Sequence, residues 1–387
     1  MGDDENIAVK VVYAVHPVGQ IFNIPCVPGL INAVASLAEV DVCFLGVKNI
    51  TSPAGQFNPG VKVVWYPITQ HARHERFATL AIGYLLFGIS CLCKRRPQYI
   101  LAIGLRGLIV GGLLAAMFRA KLVYNCLEIY PARATSGFLG SIAHRIEAYL
   151  NSRAVATVIQ DEQRSTLLAK INGLHRHRFV YFPNYPLVSG ETLDPIEVEL
   201  FKISRGIPVD KRIILYSGGL YPGVGLERML TGLEQLADDW LVVLQSHDGV
   251  LQLDRVVVDS MVAAGRLYVL QRPLEARAYE LLVEGCDVGL AWYSTSDENM
   301  KYVGLSSGKV GAYWSKGKPI IINRIPFFDV VCDEYNAGVA IHSIDDVFEG
   351  IRVIASDYQK YSLGASFCYK KYFDAEKGLK ELQGVFV

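Results

Sequence analysis

The residues best placed to do chemistry lie in Gly304-Leu305-Ser306-Ser307-Gly308-Lys309-Val310-Gly311-Ala312-Tyr313-Trp314-Ser315-Lys316-Gly317-Lys318-Pro319. Ser306, Ser307, Gly308 and Lys309 combine two hydroxyls, a glycine and a cation ahead of an amphipathic segment. Backbone N–H groups at a helix N-terminus, with a lysine beside them, suit a phosphate or pyrophosphate. The same letters spell Gly304-x-Ser306-x-Gly308, the nucleophile-elbow pattern, with Asp329 and His342 following in hydrolase order. An elbow needs a strand running straight into its serine. Here the preceding strand pattern ends near Trp292, so the anion reading is preferred. Between the two, Asp297-Glu298-Asn299 offers carboxylates that could hold ribose hydroxyls, or simply an exposed acidic turn.

Other candidates sit where strand patterns end. Gly218-Gly219 follows the strand pattern Arg212 to Tyr216 and would let a phosphate or sugar approach the backbone. It is not Gly-x-Gly-x-x-Gly, and no Walker A motif occurs. His16 follows the apolar run Ile7 to Val15, where a histidine could act as a base or bind a sugar hydroxyl. Glu128 and His247 hold equivalent positions after other strands. His175-Arg176-His177-Arg178 reads as a solvated basic turn.

The elements that must position these residues alternate between β-type and helical patterns. Ile7 to Val15, Val40 to Val47, Val61 to Tyr66, Tyr99 to Ile103, Lys121 to Asn125 and Ala154 to Gln160 read as strands of a doubly wound α/β domain. A Pro-, Ser- and Gly-rich stretch from Pro186 to Asp194 marks a boundary. A second α/β series follows, and the chain closes in a helix from about Phe367 to Gln383. The expected units are 1–187, 196–365 and a terminal helix 366–387. Two such sheets in tandem place a ligand cleft at the carboxyl ends of their strands.

Composition narrows the class. At 387 residues, two domains are expected. Lys+Arg and Asp+Glu are both 38, which argues against a dedicated nucleic-acid binder. The eight cysteines have no zinc spacing, and the acidic start is not a signal peptide, so reduced thiols in a cytoplasm are expected. Mean hydropathy is +0.25, and Phe77 to Cys93 is the most apolar stretch. It falls short of the roughly 20 residues of a spanning helix. With Leu105 to Phe118 it reads either as buried helices of the first domain or as a face dipped into a bilayer. In the second reading Arg73, Arg76, Lys94, Arg95, Arg96, Arg119 and Lys121 ring that face.

Several of these stretches, in this order, resemble GT-B glycosyltransferases, above all retaining family 4. Ser307-Gly308-Lys309 to Pro319 is similar to the family's Ser-Pro-x-Lys-x-x-Glu-Tyr-x-Ala-x-Gly-x-Pro segment, which binds the nucleotide sugar diphosphate. Phe182-Pro183-Asn184, Tyr124 to Pro131 and Gly218-Gly219 resemble other landmarks of that family. Ala312 stands where the family's ribose-contacting glutamate is usual, and Ser217 to Glu227 lacks the Arg and Lys expected there.

The resemblance implies a GT-B fold with a terminal helix crossing back to the first domain. It implies a hexosyltransferase-like enzyme for cell-surface polysaccharide or glycolipid, using a nucleotide diphosphate sugar and neither cofactor nor metal. The donor would be held by Gly218, Gly219, His247, Arg272, Glu298, Lys301, Ser306, Ser307, Gly308 and Lys309. The acceptor, lipid-linked or a saccharide, would meet His16, Gly19, Glu128 and Asn184. Lys309 would stabilise the leaving group. In a retaining enzyme the departing phosphate takes the acceptor proton; in an inverting one His16 or Glu128 is the base. A nucleotide-sugar 2-epimerase of the same architecture and a non-catalytic membrane-associated partner are the alternatives. The expected location is cytoplasmic, with peripheral contact at the inner face of the membrane.

Overall fold

The computed structural model describes residues 9–17, 26–37, 40–47, 57–66, 77–130, 138–185, 193–219, 226–246, 253–270 and 274–387. The chain divides into two compact units. Unit 1 comprises Met1–Asn184 with Ala375–Val387, and unit 2 comprises Tyr185–Asp374.

Unit 1 runs β1 (Lys10–His16), α1 (Cys26–Ala35), β2 (Val40–Val47), β3 (Lys62–Tyr66), α2 (Phe77–Lys94), β4 (Tyr99–Ile103), α3 (Gly104–Phe118), β5 (Lys121–Asn125), α4 (Phe138–Arg153), β6 (Ala156–Ile159), α5 (Glu162–Asn172) and β7 (Phe179–Tyr181). Its parallel sheet has the order β3-β2-β1-β4-β5-β6-β7. The continuous apolar runs follow from this, because β1, β4 and β6 are covered on both faces and bury nearly every side chain. Chain order reverses between β1 and β4, which makes that pair the switch point of the sheet.

Unit 2 continues with α6 (Pro195–Arg205), β8 (Arg212–Ser217), α7 (Leu226–Thr231), β9 (Trp240–Gln245), α8 (Arg255–Ala263), β10 (Leu267–Leu270), α9 (Ala276–Glu284), β11 (Val288–Ala291), α10 (Glu298–Lys301), α11 (Gly308–Ser315), β12 (Ile320–Asn323), α12 (Pro326–Tyr335), β13 (Gly338–Ile341), α13 (Val347–Ser356) and α14 (Tyr358–Tyr372). Its parallel sheet is ordered β10-β9-β8-β11-β12-β13, with the switch point between β8 and β11. Tyr313, Trp314 and Phe328 fill the core on one face of it, and Trp314 Nε1 donates to Ala337 O at 3.1 Å.

The terminal stretch is two helices rather than the one the sequence pattern suggested. α14 stays with unit 2, and α15 (Ala375–Phe386) returns to unit 1. There Glu381 accepts from Tyr181 N at 2.6 Å, Arg178 donates to Gly384 O at 2.9 Å, and Phe386 stacks edge-on against Tyr99.

One further difference has a local cause. α8 carries Val256-Val257-Val258, β-branched residues that hide a helix from a propensity reading. Asp254 starts it nonetheless, accepting from Val256 N at 2.9 Å. α2 and α3 are not buried all round. Each packs one face on the sheet and leaves large apolar side chains outside. No helix among the described residues is long and apolar enough to cross a membrane.

Candidate functional site

In unit 2 the switch point brings three segments together. β8 ends at Ser217 and passes into Gly218, whose φ of 143° suits glycine and strains other residues. β11 ends at Ala291 and leads to Tyr293. α11 begins at Gly308 with Ser307 as its N-cap, the hydroxyl accepting from Val310 N at 3.3 Å. Lys309, in the first turn of α11, reaches between the other two. Its Nζ lies 4.4 Å from the centre of the Tyr216 ring and 5.4 Å from that of Tyr293. Among the described residues that ammonium has no hydrogen-bond or ion-pair partner. Ring faces offset part of the cost of desolvating it, yet burial still pushes its pKa down to about 8.

The surroundings are braced. Tyr293 and Ser307 share a hydrogen bond between hydroxyls. Asn323 holds Tyr293 by both backbone groups, at 2.9 and 3.0 Å. Tyr313 donates to Leu215 O at 2.9 Å and accepts from Ser217 N at 3.2 Å. Tyr216 donates to Gly219 O at 2.8 Å. A β-carbon on Gly218 would stand 2.8 Å from Lys309 Nζ, so the glycine also makes room for the cation.

Lys316, at the other end of the same helix, gives the contrast. It is buried and paired with Glu280 at 3.0 Å and Glu284 at 3.5 Å, a structural lysine. Lys309 is a fixed cation beside a helix N-terminus and a tight glycine turn. That arrangement attracts an anion.

The remaining donor-side candidates are placed as follows. Ser306 lies in a one-turn 3₁₀ segment, Gly304–Ser306, and its hydroxyl donates to Val303 O. No strand runs into it, and Asp329 pairs with Arg324 at 3.3 Å, so the hydrolase elbow is not formed. Glu298 and Lys301 are exposed on the four-residue α10. Ala312 is wholly buried in the unit 2 core and offers no polar group. His247 and Arg272 lie outside the described residues, as does Gly19 in unit 1.

In unit 1, His16 closes β1 at that sheet's own switch point. Its Nδ1–H donates across it to Ile103 O of β4 at 3.3 Å, which leaves the lone pair on Nε2. The ring is only 2% exposed, and burial lowers its pKa to about 4. Nε2 has no hydrogen-bond partner among the described residues. Glu128, after β5, is exposed and accepts from the Tyr130 hydroxyl. Asn184 follows β7 as the last residue of the first stretch of unit 1.

Three residues of these two regions escaped the sequence reading. Tyr216 and Tyr293 flank Lys309, and their signal was position, each lying at the end of a strand beside the switch point. Arg164 in α5 is 1% exposed and donates to Leu127 O at 3.1 Å, next to Glu128. An arginine inside a polar helix gave no such signal.

No protein-family model matches the chain, and no curated protein matches it. Solved structures do. The chain is similar to sucrose-phosphate synthase from Thermosynechococcus elongatus, with 13% identity, 97% of this chain and 95% of that one covered, and a TM-score of 0.67. It is similar to Anabaena HepE in complex with UDP-glucose, with 14% identity, coverage of 97% and 98%, and a TM-score of 0.71. It is also similar to a UDP-N-acetylglucosamine 2-epimerase, with 14% identity, coverage of 96% and 94%, and a TM-score of 0.63. At these identities the likeness shows the fold, and the chain has the GT-B fold of two Rossmann-like α/β domains.

Proposed function

We propose that the chain is a glycosyltransferase that moves a sugar from a nucleotide diphosphate sugar to a lipid-linked or saccharide acceptor. The observation that carries this is the Lys309 ammonium, unpaired among the described residues, held between Tyr216 and Tyr293 at the unit 2 switch point. A buried cation without a counter-ion costs stability, and a site that keeps one is built for an anion that arrives. The complex of the HepE neighbour with UDP-glucose supports a nucleotide sugar as that anion.

In this reading the diphosphate lies against Lys309, the α11 N-terminus and the turn at Gly218. As the bond from the sugar to phosphate breaks, negative charge grows on the leaving oxygen. Donors already aimed at that position stabilise it without reorganising. A fixed cation and a helix terminus do the work here, so the scheme needs no metal. Gly219, Ser306, Ser307, Glu298 and Lys301, with His247 and Arg272, complete the donor set proposed from sequence. The acceptor is bound through unit 1, with His16, Gly19, Glu128 and Asn184 as its contacts. A retaining course, with the departing phosphate taking the acceptor proton, fits a neutral His16 that binds a hydroxyl more readily than it removes a proton. The protein would work in the cytoplasm in making cell-surface polysaccharide or glycolipid.

Thermal-shift titration with UDP, GDP, ADP and their sugars tests this, since a ligand bound only by the native state raises Tm. A stabilising nucleotide lost in Lys309→Ala is expected, and undiminished binding there would remove the phosphate assignment. The epimerase neighbour sustains a second reading, a nucleotide-sugar 2-epimerase. Incubation with a UDP-sugar and no acceptor separates the two, because only an epimerase forms a new nucleotide sugar.

A further inference from the structure

We propose that the outer face of α6 in unit 2 is a self-association surface, on which a second copy of this chain docks across a two-fold axis with the two helices antiparallel. This rests on observations separate from the donor site.

α6 turns an apolar row to solvent. Ile196, Leu200 and Ile203 are 65%, 60% and 57% exposed. Spacings of four and three put them one above another on a single side of the helix. The other side is already in use, since Phe201 belongs to the unit 2 core and Val198 packs against it. A helix with one buried side is expected to be polar on the other. Single exposed apolar residues are ordinary, but a row along one helix has the form of a helix-pairing seam.

The row is held in a fixed form. Asp194 caps the helix, accepting from Ile196 N at 2.9 Å, and Pro195 opens it. Gly206 ends it at a φ of 70°, its N–H donating to Ile203 O at 3.0 Å. Arg277 of α9 donates from Nε to Glu197 at 3.0 Å. A β-carbon on Gly285 would stand 3.1 Å from Val198, so α6 lies close on the end of α9. A partner therefore meets a surface that loses little freedom on binding.

Charge identifies the partner. The acids of α6 and its cap, Asp194, Glu197 and Glu199, precede its bases, Lys202 and Arg205. A partner of one sign would gain at one half of the helix and lose at the other. A second copy turned end for end sets acidic half against basic half twice, and opposes the two helix dipoles. With the axis beside Leu200, Ile196 of each copy approaches the partner's Ile203, because both lie about one turn from that centre. Glu199 and Lys202 share one flank of the row, so each Glu199 comes opposite the partner's Lys202. Neither that carboxylate nor that ammonium has a hydrogen-bond or ion-pair partner among the described residues. Both line a cleft of about 640 Å³ at the amino ends of β8 and β11, with Asp287 and Lys318. Lys309 stands at the carboxyl ends of those strands, so this surface is distinct from the donor site. A contact of one helix from each copy falls below the roughly 1,200 Å² of a standard interface, which makes the dimer weak and reversible.

Sedimentation velocity of the full chain over a series from about 1 to 300 μM tests the proposal. A reversible monomer–dimer equilibrium with a Kd on the order of 10 μM is expected. Leu200→Glu, which sets two carboxylates face to face at the axis, should leave a monomer throughout. Glu199→Lys and Lys202→Glu should each weaken dimerisation about tenfold. A mixture of those two variants should recover it, since every flank pair is then of opposite sign. Circular dichroism and Tm in dilute solution should stay at wild-type values in all three. No nucleotide enters the experiment, so its outcome is independent of the donor-site reading. A wild type that is monomeric over the whole series, whether the face then serves another protein or none, overturns the proposal. So does a Leu200→Glu variant that still dimerises, or a mixture that associates no better than either charge variant alone.

Discussion

The two switch points share a topology and differ in electrostatics. In unit 1 the crevice between β1 and β4 holds His16, neutral, with a pKa near 4 and its Nδ1 tied to a carbonyl. In unit 2 the crevice between β8 and β11 holds Lys309, a cation at neutral pH, supported by aromatic rings. A buried imidazole without a countercharge gives up its proton, because burial penalises the charged form. A lysine starts about four pKa units higher and can bear the same penalty and stay charged. One fold thereby makes one buried crevice neutral and the other cationic.

The largest expected effect breaks the unit 2 side. Lys309→Ala should weaken UDP binding at least 100-fold, read by calorimetry, since a charge-assisted contact in a sheltered site is worth about 3 kcal/mol. Next comes pH. Lys309 loses its proton above about 8, so UDP affinity should fall about tenfold per pH unit just beyond that point. The fall should disappear in Lys309→Arg, whatever that variant's affinity.

The unit 1 side is probed by His16→Gln. It should lower kcat/KM for the acceptor roughly tenfold while leaving UDP affinity unchanged. The same variant tests the histidine's protonation. Its folded pKa, near 4, lies below the ordinary 6.5. Between those values the unfolded chain takes up a proton that the native state refuses, so stability falls as pH drops from about 6.5 to 4. That loss, on the order of 2–3 kcal/mol, should be absent from acid denaturation of His16→Gln. The smallest effect is a gain. Lys309 has a lowered pKa, so its charged form opposes folding below about pH 8. Lys309→Met should therefore raise the Tm of the unliganded protein at pH 7 by a few degrees.

How much of this the sequence displayed depends on whether the cause was local. Strands such as β1, β4 and β8 announce themselves as apolar runs because both faces of a parallel sheet are covered. Lys309 stood out because a glycine, a hydroxyl N-cap and a helix all lie within a few residues. Tyr216 and Tyr293 did not, since an aromatic at a strand end resembles core. Only the pairing of β8 with β11, whose facing residues are more than 70 positions apart, makes them neighbours. The elbow spelled by Gly304, Ser306 and Gly308 shows the converse, a local pattern whose tertiary context is absent.

The return of α15 to unit 1 has a consequence for how the chain acquires its structure. Unit 2 is continuous from Tyr185 to Asp374. Unit 1 is not. Its edge strand β7 is three residues long, and its Tyr181 N–H donates to the carboxylate of Glu381, some 200 residues later. During synthesis β7 lacks this partner until the stretch holding α15 has been made. Such long-range closure is slow and leaves strand edges able to pair wrongly. The unit begun first thus gains one of its contacts only after the other unit's whole stretch has been made.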